Sequence, residues 1–367
     1  MFTKKNNNSN NAFFMGLALQ QAKKVLGNTK DNPAVGCLIV KNNHIISASS
    51  TGINGRPHAE VNAIKFSKIN LNKATLYTTL EPCSHYGKTP PCVNSIIKNK
   101  IGKVIFSLHD PDKRSFKKSF KKLNKHKIIV NKGILKNEIK DFYKSYFKYK
   151  EDNLPFVTCK LAVSKDFYTV NKKNKWITNT SSRLRGHLLR SSHDCIVTSS
   201  STIGKDNSRL TCRIDGLENS SPARVILDNK LKIKKNSKII KESKFFPTII
   251  FYNKADSNKI KLLSKLRVKL IKIPTDVDGN LDLKKTLIKV KKLGFSRVLI
   301  ETGLKLTVNF LKKKLIDDFK LFISNQKIWI NVNSNFKKYL KFLLKNKKKI
   351  VESVNLFDEK IITYRLN

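Results

Sequence analysis

Three side chains able to bind a metal, His58, Cys83 and Cys92, stand in the first third of the chain, with Glu60 two positions after the histidine. Both thiols belong to Pro82-Cys83-Ser84-His85-Tyr86-Gly87-Lys88-Thr89-Pro90-Pro91-Cys92, and His58-Ala59-Glu60 follows Gly55-Arg56-Pro57. A catalytic zinc takes three protein ligands and leaves a fourth position for water, and one imidazole with two thiolates supplies those three. Glu60 is then free to move protons. Zinc lowers the pKa of bound water toward ~7, so hydroxide can attack an amino-bearing ring carbon while a carboxylate that is not a ligand shuttles protons. A structural zinc knot would close with a fourth protein ligand, for which only His85 stands near. Pro82 and Pro91 each stand where a helix commonly begins, which predicts both thiols at helix N-termini, where the dipole stabilises a thiolate.

The string from Pro82 to Cys92, with eight residues between the cysteines, resembles the pyrimidine deaminase of riboflavin biosynthesis. Deaminases of cytidine and of tRNA adenosine share the His-x-Glu and Pro-Cys elements but normally place two residues between the cysteines. Asn32-Pro33-Ala34-Val35-Gly36-Cys37-Leu38-Ile39-Val40 resembles the Asn-Pro-x-Val-Gly-Cys strand entry of the same family. The resemblance implies a zinc ion held by His58, Cys83 and Cys92, Glu60 as the catalytic acid and base, and substrate contacts at Asn32, Lys88 and Thr89, with Lys88 facing a phosphate.

An α/β framework is expected around these residues. Phe14, Leu17, Ala18 and Ala22 recur at helical spacing, residues 27–33 break that helix before a strand over 35–40, and Asn42-Asn43 turns a hairpin. The pattern predicts a helix over 58–66, a strand over 75–80, a helix over 92–98, strands over 104–107 and 127–130, and a basic, aromatic helix near 138–149. The polar turn residues Glu151-Asp152-Asn153 mark a boundary, giving a zinc-dependent deaminase domain over 1–150 and a second domain over 154–367. The resemblance implies a cytidine-deaminase-like three-layer α/β/α fold with a central mixed sheet for the first.

After Pro155 a new pattern opens on the strand Phe156-Val157-Thr158-Cys159-Lys160-Leu161-Ala162. In the riboflavin family the deaminase is commonly fused to an NADPH-dependent reductase that resembles dihydrofolate reductase, an α/β fold. The corresponding landmarks follow in order: residues 160–166, Trp176-Ile177-Thr178, residues 188–194, residues 202–206, Leu210-Thr211-Cys212-Arg213, the strand over 224–228 and the turn Glu301-Thr302-Gly303. From the residues alone, the 301–303 turn before a helix over 306–311 is a phosphate-binding junction of low specificity, because helix N-termini attract anions. No Gly-x-Gly-x-x-Gly fingerprint is present, which argues against an ordinary Rossmann domain. Trp176 alone reads as a core aromatic.

The resemblance implies cofactor contacts at Val163, Trp176, Thr178, Thr202, Asp206, Asn229 and the turn Gly303, Leu304, Lys305, Leu306 and Thr307. It implies substrate contacts at Asn174, Arg190, Leu210, Arg213 and Glu301. Arg190 and Arg213 suit a ribose phosphate, since guanidinium forks match phosphate oxygens. Departures from the family pattern fall at Phe167, where glycine often supplies a positive φ, at Asn207-Ser208 in place of Asp-Pro, and at Asn174 in place of serine.

A chain of 367 residues suggests two domains. The net charge of +49, from 75 Lys and Arg against 26 Asp and Glu, would ordinarily suggest a polyanion partner. Its Lys-rich, evenly spread form, with abundant Asn, Ile and Phe, reads instead as a compositional bias over every surface. Six cysteines without regular spacing and no apolar leader point to a reducing compartment, the cytoplasm, with no membrane span. Cys37, Cys159, Cys195 and Cys212 read as small buried residues. The resemblance implies a bifunctional enzyme of riboflavin biosynthesis, a homo-oligomer acting on a small phosphorylated pyrimidine, with no specific nucleic acid and no membrane as partner. Two rivals stand beside it: a tRNA-editing deaminase, and a deaminase whose second domain is a non-catalytic scaffold.

Overall fold

A Cβ at Gly36 would lie 1.9 Å from the Ala18 carbonyl oxygen, so helix α1 (Phe2–Lys24) rests directly on strand β1 (Gly36–Lys41). The structure, a computed structural model, describes residues 2–169, 176–328 and 336–366. The chain divides into two units, Met1–Asn153 and Leu154–Asn367, each with its own apolar core.

In the first unit β1 turns into β2 (His44–Ser50) through Asn42 and Asn43, with φ of 51° and 61°. Two consecutive left-handed residues make the two-residue hairpin turn that asparagine tolerates. Then follow α2 (Ala59–Phe66), β3 (Thr75–Leu80), α3 (Cys92–Lys98), β4 (Lys103–Leu108), α4 (Lys118–Lys125), β5 (Ile129–Lys132) and α5 (Lys136–Glu151). The sheet order is β2-β1-β3-β4-β5, with β1 antiparallel to β2 and β3 and the last three strands parallel. Strands β1, β3 and β4 are buried along nearly their whole length, as strands covered on both faces must be. The mixed sheet therefore lies between helical layers.

One strand begins later than the pattern predicts. The 127–130 expectation is corrected to β5 over Ile129–Lys132, because Lys127 adopts φ 58° and the Ile128 amide returns to the Leu123 carbonyl. That closes α4 with a left-handed cap, and pairing with β4 begins at Ile129.

The second unit runs β6 (Phe156–Val163), α6 (Thr180–Ser191), β7 (Cys195–Ser199), α7 (Ser200–Asp206), β8 (Ala223–Leu227), α8 (Lys238–Lys241), β9 (Thr248–Tyr252), α9 (Ser257–Lys265), β10 (Lys269–Lys272), α10 (Leu283–Lys292), β11 (Arg297–Glu301), α11 (Leu304–Lys312), β12 (Asp318–Ile323), α12 (Phe336–Leu344), β13 (Lys348–Val351) and β14 (Lys360–Arg365). Its nine strands are ordered β10-β9-β8-β7-β11-β6-β12-β14-β13. All are parallel to their neighbours except the antiparallel pairs β12–β14 and β14–β13. The chain builds outward from β6 to β10 and then returns to insert β11 between β7 and β6. Strand order reverses there, and such points open a crevice at the carboxyl ends of the strands.

Cys37, Cys159, Cys195 and Cys212 are buried, and none of the six cysteines is in a disulfide. Among the described residues no helix is long and apolar enough to cross a membrane. The close approach at Gly36 gives a direct test of the α1 packing. Gly36→Ala should lower the unfolding free energy by about 1–3 kcal/mol or more, the range for overfilling a packed interior, read by thermal or urea denaturation; an unchanged midpoint would mean that α1 does not rest on β1.

Candidate active sites

In the first unit two helix starts bring the metal-ligating side chains together. His58 is the N-cap of α2, with extended backbone at φ −69° and ψ 155°, so Glu60 falls on the second helical residue. The turn before it is fixed by Gly55, at φ 87°, where a Cβ would stand 2.3 Å from Asn32 Nδ2. Asn32 therefore packs on the segment that delivers His58. Cys92 is the first residue of α3, with Pro91 as its N-cap.

Cys83 corrects an expectation: Pro82 starts no helix, and Cys83 lies in the loop after β3. It reaches the helix terminus indirectly, because the Cys92 amide donates to Cys83 Sγ at 3.2 Å. Both sulfurs thus share the start of α3.

His58 Nδ1 lies 3.3 Å from Cys92 Sγ and 3.4 Å from Cys83 Sγ, and one ligand atom from each of the three residues lies within 4.8 Å of the others. Zinc–sulfur and zinc–nitrogen bonds of ~2.3 and ~2.0 Å at a tetrahedral angle separate the two ligand atoms by about 3.5 Å. The donor set and its spacing therefore fit zinc with an open fourth position. Glu60 is buried, with Oε2 3.5 Å from Cys92 Sγ.

The electrostatics follow from this crowding. The Cys83 thiol is held far below its ordinary value by the Cys92 side-chain hydrogen bond, with His58 and the Cys92 amide acting the same way against burial. Cys92 moves the opposite way, through its bond to Cys83 and through burial. His58 is raised, first by its bond to Cys83. Burial pushes Glu60 up to about 7, against the opposing pull of His58.

Around the triangle, Lys88 is exposed and Thr89 half-buried, and Thr89 Oγ1 accepts a 2.6 Å bond from Arg56 Nη1. Sequence reading did not single out Arg56, nor Glu81 next to Pro82. Buried Glu81 accepts from Ser119 Oγ at 2.6 Å and from the Lys117 amide at 3.2 Å, and pairs with His109 Nδ1 at 2.7 Å. It ties residues 109–119 to the cysteine loop. His85, the only sequence candidate for a fourth ligand, meets Ser115 Oγ at 2.8 Å through Nδ1 and is not part of the donor triangle.

In the second unit, most of the expected cofactor residues meet at the carboxyl ends of four adjacent parallel strands. Val163 ends β6, Thr202 follows β7, Asn229 follows β8 and Gly303 follows β11. Two helix starts are stitched together there. Ser199, the N-cap of α7, lies 2.9 Å from Thr202 Oγ1, which lies 3.2 Å from Thr302 Oγ1 and accepts the Gly303 amide at 3.2 Å. Gly303 is the N-cap of α11, and the first-turn amides at Leu304, Lys305 and Leu306 have no helical carbonyl to bind. Lys305 is exposed, whereas Thr307 is fully buried. Asn229 Nδ2 donates to the Gly279 carbonyl at 2.9 Å.

Trp176 corrects the core-aromatic reading: it is 53% exposed, with the Arg183 guanidinium 5.0 Å from its ring. Thr178 precedes α6 and accepts from Arg183 Nη1 at 2.7 Å. Asp206 is exposed at the end of α7. Asn174 lies outside the described residues.

The substrate candidates cluster at the end of β11. Arg190 forks onto Glu301, Nε to Oε2 at 2.9 Å and Nη2 to Oε1 at 2.8 Å, while Nη1 donates to the Thr211 carbonyl at 3.1 Å. The fork expected to face phosphate is thus filled by a carboxylate, and Arg190 orients Glu301. Lys160 Nζ stands 3.7 Å from Glu301 Oε1. Arg213 is exposed, and its amide donates to His187 Nδ1 at 3.1 Å. Leu210 is buried at φ 59°.

The departures are accommodated locally. Phe167 takes φ 72° and its amide closes the turn on the Ser164 carbonyl at 2.9 Å, so the turn keeps the left-handed conformation that glycine would supply. Asn207 takes φ 45° as the C-cap of α7, a role asparagine tolerates.

Comparison with known proteins gives a consistent set of relatives. Residues 8–108 match the family described as "Cytidine and deoxycytidylate deaminase zinc-binding region", and residues 155–325 match "RibD C-terminal domain". "Riboflavin biosynthesis protein RibD" of Buchnera aphidicola is 34% identical over 90% of this chain and 90% of its own. The protein of that name from Aquifex aeolicus is 33% identical over 85% of this chain and 86% of its own. Acinetobacter baumannii RibD superposes with a TM-score of 0.83 at 26% identity, over 98% of this chain and 99% of that one. A diaminohydroxyphosphoribosylaminopyrimidine deaminase/5-amino-6-(5-phosphoribosylamino)uracil reductase from Thermotoga maritima gives 0.83 at 29% identity, with the same coverage.

The Arg190–Glu301 pair predicts an acid-sensitive site. Burial would raise Glu301, yet Arg190 and Lys160 pull it to about 2, below the ~4.3 of an unfolded glutamate. Its stabilising contribution is therefore present above about pH 4–5 and lost as pH falls toward 2. Glu301→Gln should remove that part of the stability slope. At pH 7 it should cost about 1–3 kcal/mol, because a half-buried Arg190 loses its counter-charge but keeps the Thr211 carbonyl and an amide oxygen as acceptors. Urea titrations across pH check both; identical slopes in the two proteins would mean that the pair is not formed.

Proposed function

The chain belongs to the riboflavin-biosynthesis RibD family, and from that premise we propose how its residues divide the work of a bifunctional deaminase and reductase. The first unit hydrolytically deaminates a diaminopyrimidinone ribosyl phosphate, and the second reduces the ribosyl chain of the resulting aminouracil to ribityl. The observation that carries this reading is the donor triangle of His58, Cys83 and Cys92 with the Glu60 carboxyl against it.

Zinc, when bound by those three residues, supplies the Lewis acidity that lets water lose a proton near neutral pH. Glu60 takes a proton and delivers it to the departing amine, a task for a carboxylate that is close by and is not a ligand. Its burial keeps bulk water from competing for that proton. Asn32, Lys88 and Thr89 contact the substrate, Lys88 by its charge.

In the second unit NADPH, when bound, supplies the hydride, and the protein supplies orientation. The paired starts of α7 and α11 offer amides and hydroxyls to the cofactor's phosphates, with Val163, Trp176, Thr178, Asp206 and Asn229 along its length. Glu301, held by Arg190 and Lys160, faces the sugar hydroxyls, and Arg213 is the guanidinium left for its phosphate. The turn geometry at Phe167 removes one argument for a non-catalytic scaffold.

The same reading makes the protein a cytoplasmic homo-oligomer, the compartment supported by six cysteines outside any disulfide. Sedimentation tests the assembly. Glu60→Gln should abolish ammonia release, by at least about 10²-fold for a lost acid/base group, while retaining zinc by elemental analysis. In the unsubstituted protein ammonia release and NADPH oxidation should be coupled. Ammonia without NADPH loss would leave the second unit a scaffold, and ammonia release surviving in Glu60→Gln would remove Glu60 from its role.

A further inference from the structure

We infer that Arg56 is a further specificity residue of the first unit, reading the substrate phosphate together with Lys88 and Thr89; the inference rests on the deaminase reading above. Arg56 is half-buried two residues before His58. Its single hydrogen bond among the described residues is the one from Nη1 to Thr89 Oγ1 at 2.6 Å, across 33 positions of sequence. A guanidinium carries five N–H donors in a fixed fork, so most of them stay available. No carboxylate pairs with it among the described residues, in contrast to Arg190, Arg224 and Arg114 of this chain, which face Glu301, Glu242 and Asp112.

A half-buried cation held by a neutral hydroxyl keeps its full charge for a visiting anion. The surrounding loop makes room for one. Gly87 lacks a side chain where Arg56 Nη2 and His85 Nε2 would each lie 3.9 Å from a Cβ. Lys88, the next residue, is exposed and forms no ion pair among the described residues. Thr89 Oγ1 accepts from Arg56, which leaves its own proton to donate. Arg56 and Thr89 thus meet from two segments, Arg56 two residues before His58 and Thr89 next to the exposed Lys88. This set suits a phosphate dianion, whose charge and paired oxygens match a guanidinium fork more strongly than the single neutral carbonyl of the ring.

The test uses the full-length, zinc-loaded protein with Arg56→Gln and Arg56→Lys. Deamination of the ribosyl phosphate and of its dephosphorylated nucleoside is followed by ammonia release, zinc is counted by elemental analysis, and inorganic phosphate is titrated calorimetrically as a probe. Arg56→Gln should lower the preference for the phosphorylated substrate, as a ratio of kcat/KM, by roughly ten- to a hundredfold, the range for one or two charge-assisted hydrogen bonds. It should weaken phosphate binding in parallel, with zinc stoichiometry retained and part of the preference restored by Arg56→Lys. Equal losses on both substrates, or zinc loss, would reduce Arg56 to a structural tie and overturn the inference. No ammonia from the unsubstituted protein would count against the deaminase reading itself. Phosphate calorimetry would then decide for Arg56 alone: weaker binding in Arg56→Gln sustains the anion site, and equal binding removes it.

Discussion

A thiolate buried beside a second sulfur and a carboxyl persists only where donors or positive charge meet it, and the first unit is built around that requirement. Three negative or potentially negative groups, Cys83, Cys92 and Glu60, lie around one imidazole. The start of α3 gives its first amide to Cys83, and the start of α2 places His58 and Glu60 within one turn. The hydrogen bond between the two thiols depresses Cys83 and raises Cys92. A divalent ion held by His58, Cys83 and Cys92 would let both thiols bind as thiolates. The sheet matters here because it sets the two helix starts side by side.

The second unit meets the same problem with side chains. Glu301 ends an interior parallel strand, where a lone carboxylate would be costly. Arg190 from α6 and Lys160 from the neighbouring β6 stand against it, which requires β11 to lie between β7 and β6. The return of the chain to that slot therefore places the charge pair and the paired starts of α7 and α11 along one edge. One topological event positions both the substrate cluster and the cofactor edge.

What the sequence revealed and what it hid divide along physical lines. The donor types and their spacing were legible because zinc chemistry fixes them, and the Asn42-Asn43 hairpin because only a few residues tolerate two left-handed positions. Cys83 was misplaced because proline marks a helix start only where a helix follows, and here a loop follows. Arg56 and Glu81 were passed over because their roles depend on contacts 33 and 28–38 residues away. Arg190 was assigned to phosphate because a guanidinium fork suits phosphate and carboxylate alike, and only the fold shows which one fills it.

The same difficulty explains why +49 of net charge says so little about function. Seventy-five basic residues give a diffuse field that attracts any polyanion weakly at low salt, and that field cannot mark a site. What marks a site is a cation that pays a desolvation cost for its place. Arg224 is fully buried yet bound to Thr248, to the Phe246 and Arg209 carbonyls and, more loosely, to Glu242, which accounts for it structurally. Arg190 is accounted for by Glu301. Arg56 is partly desolvated and has no such counter-charge among the described residues, so burial set against pairing, and not charge alone, is what singles it out in a lysine-rich chain.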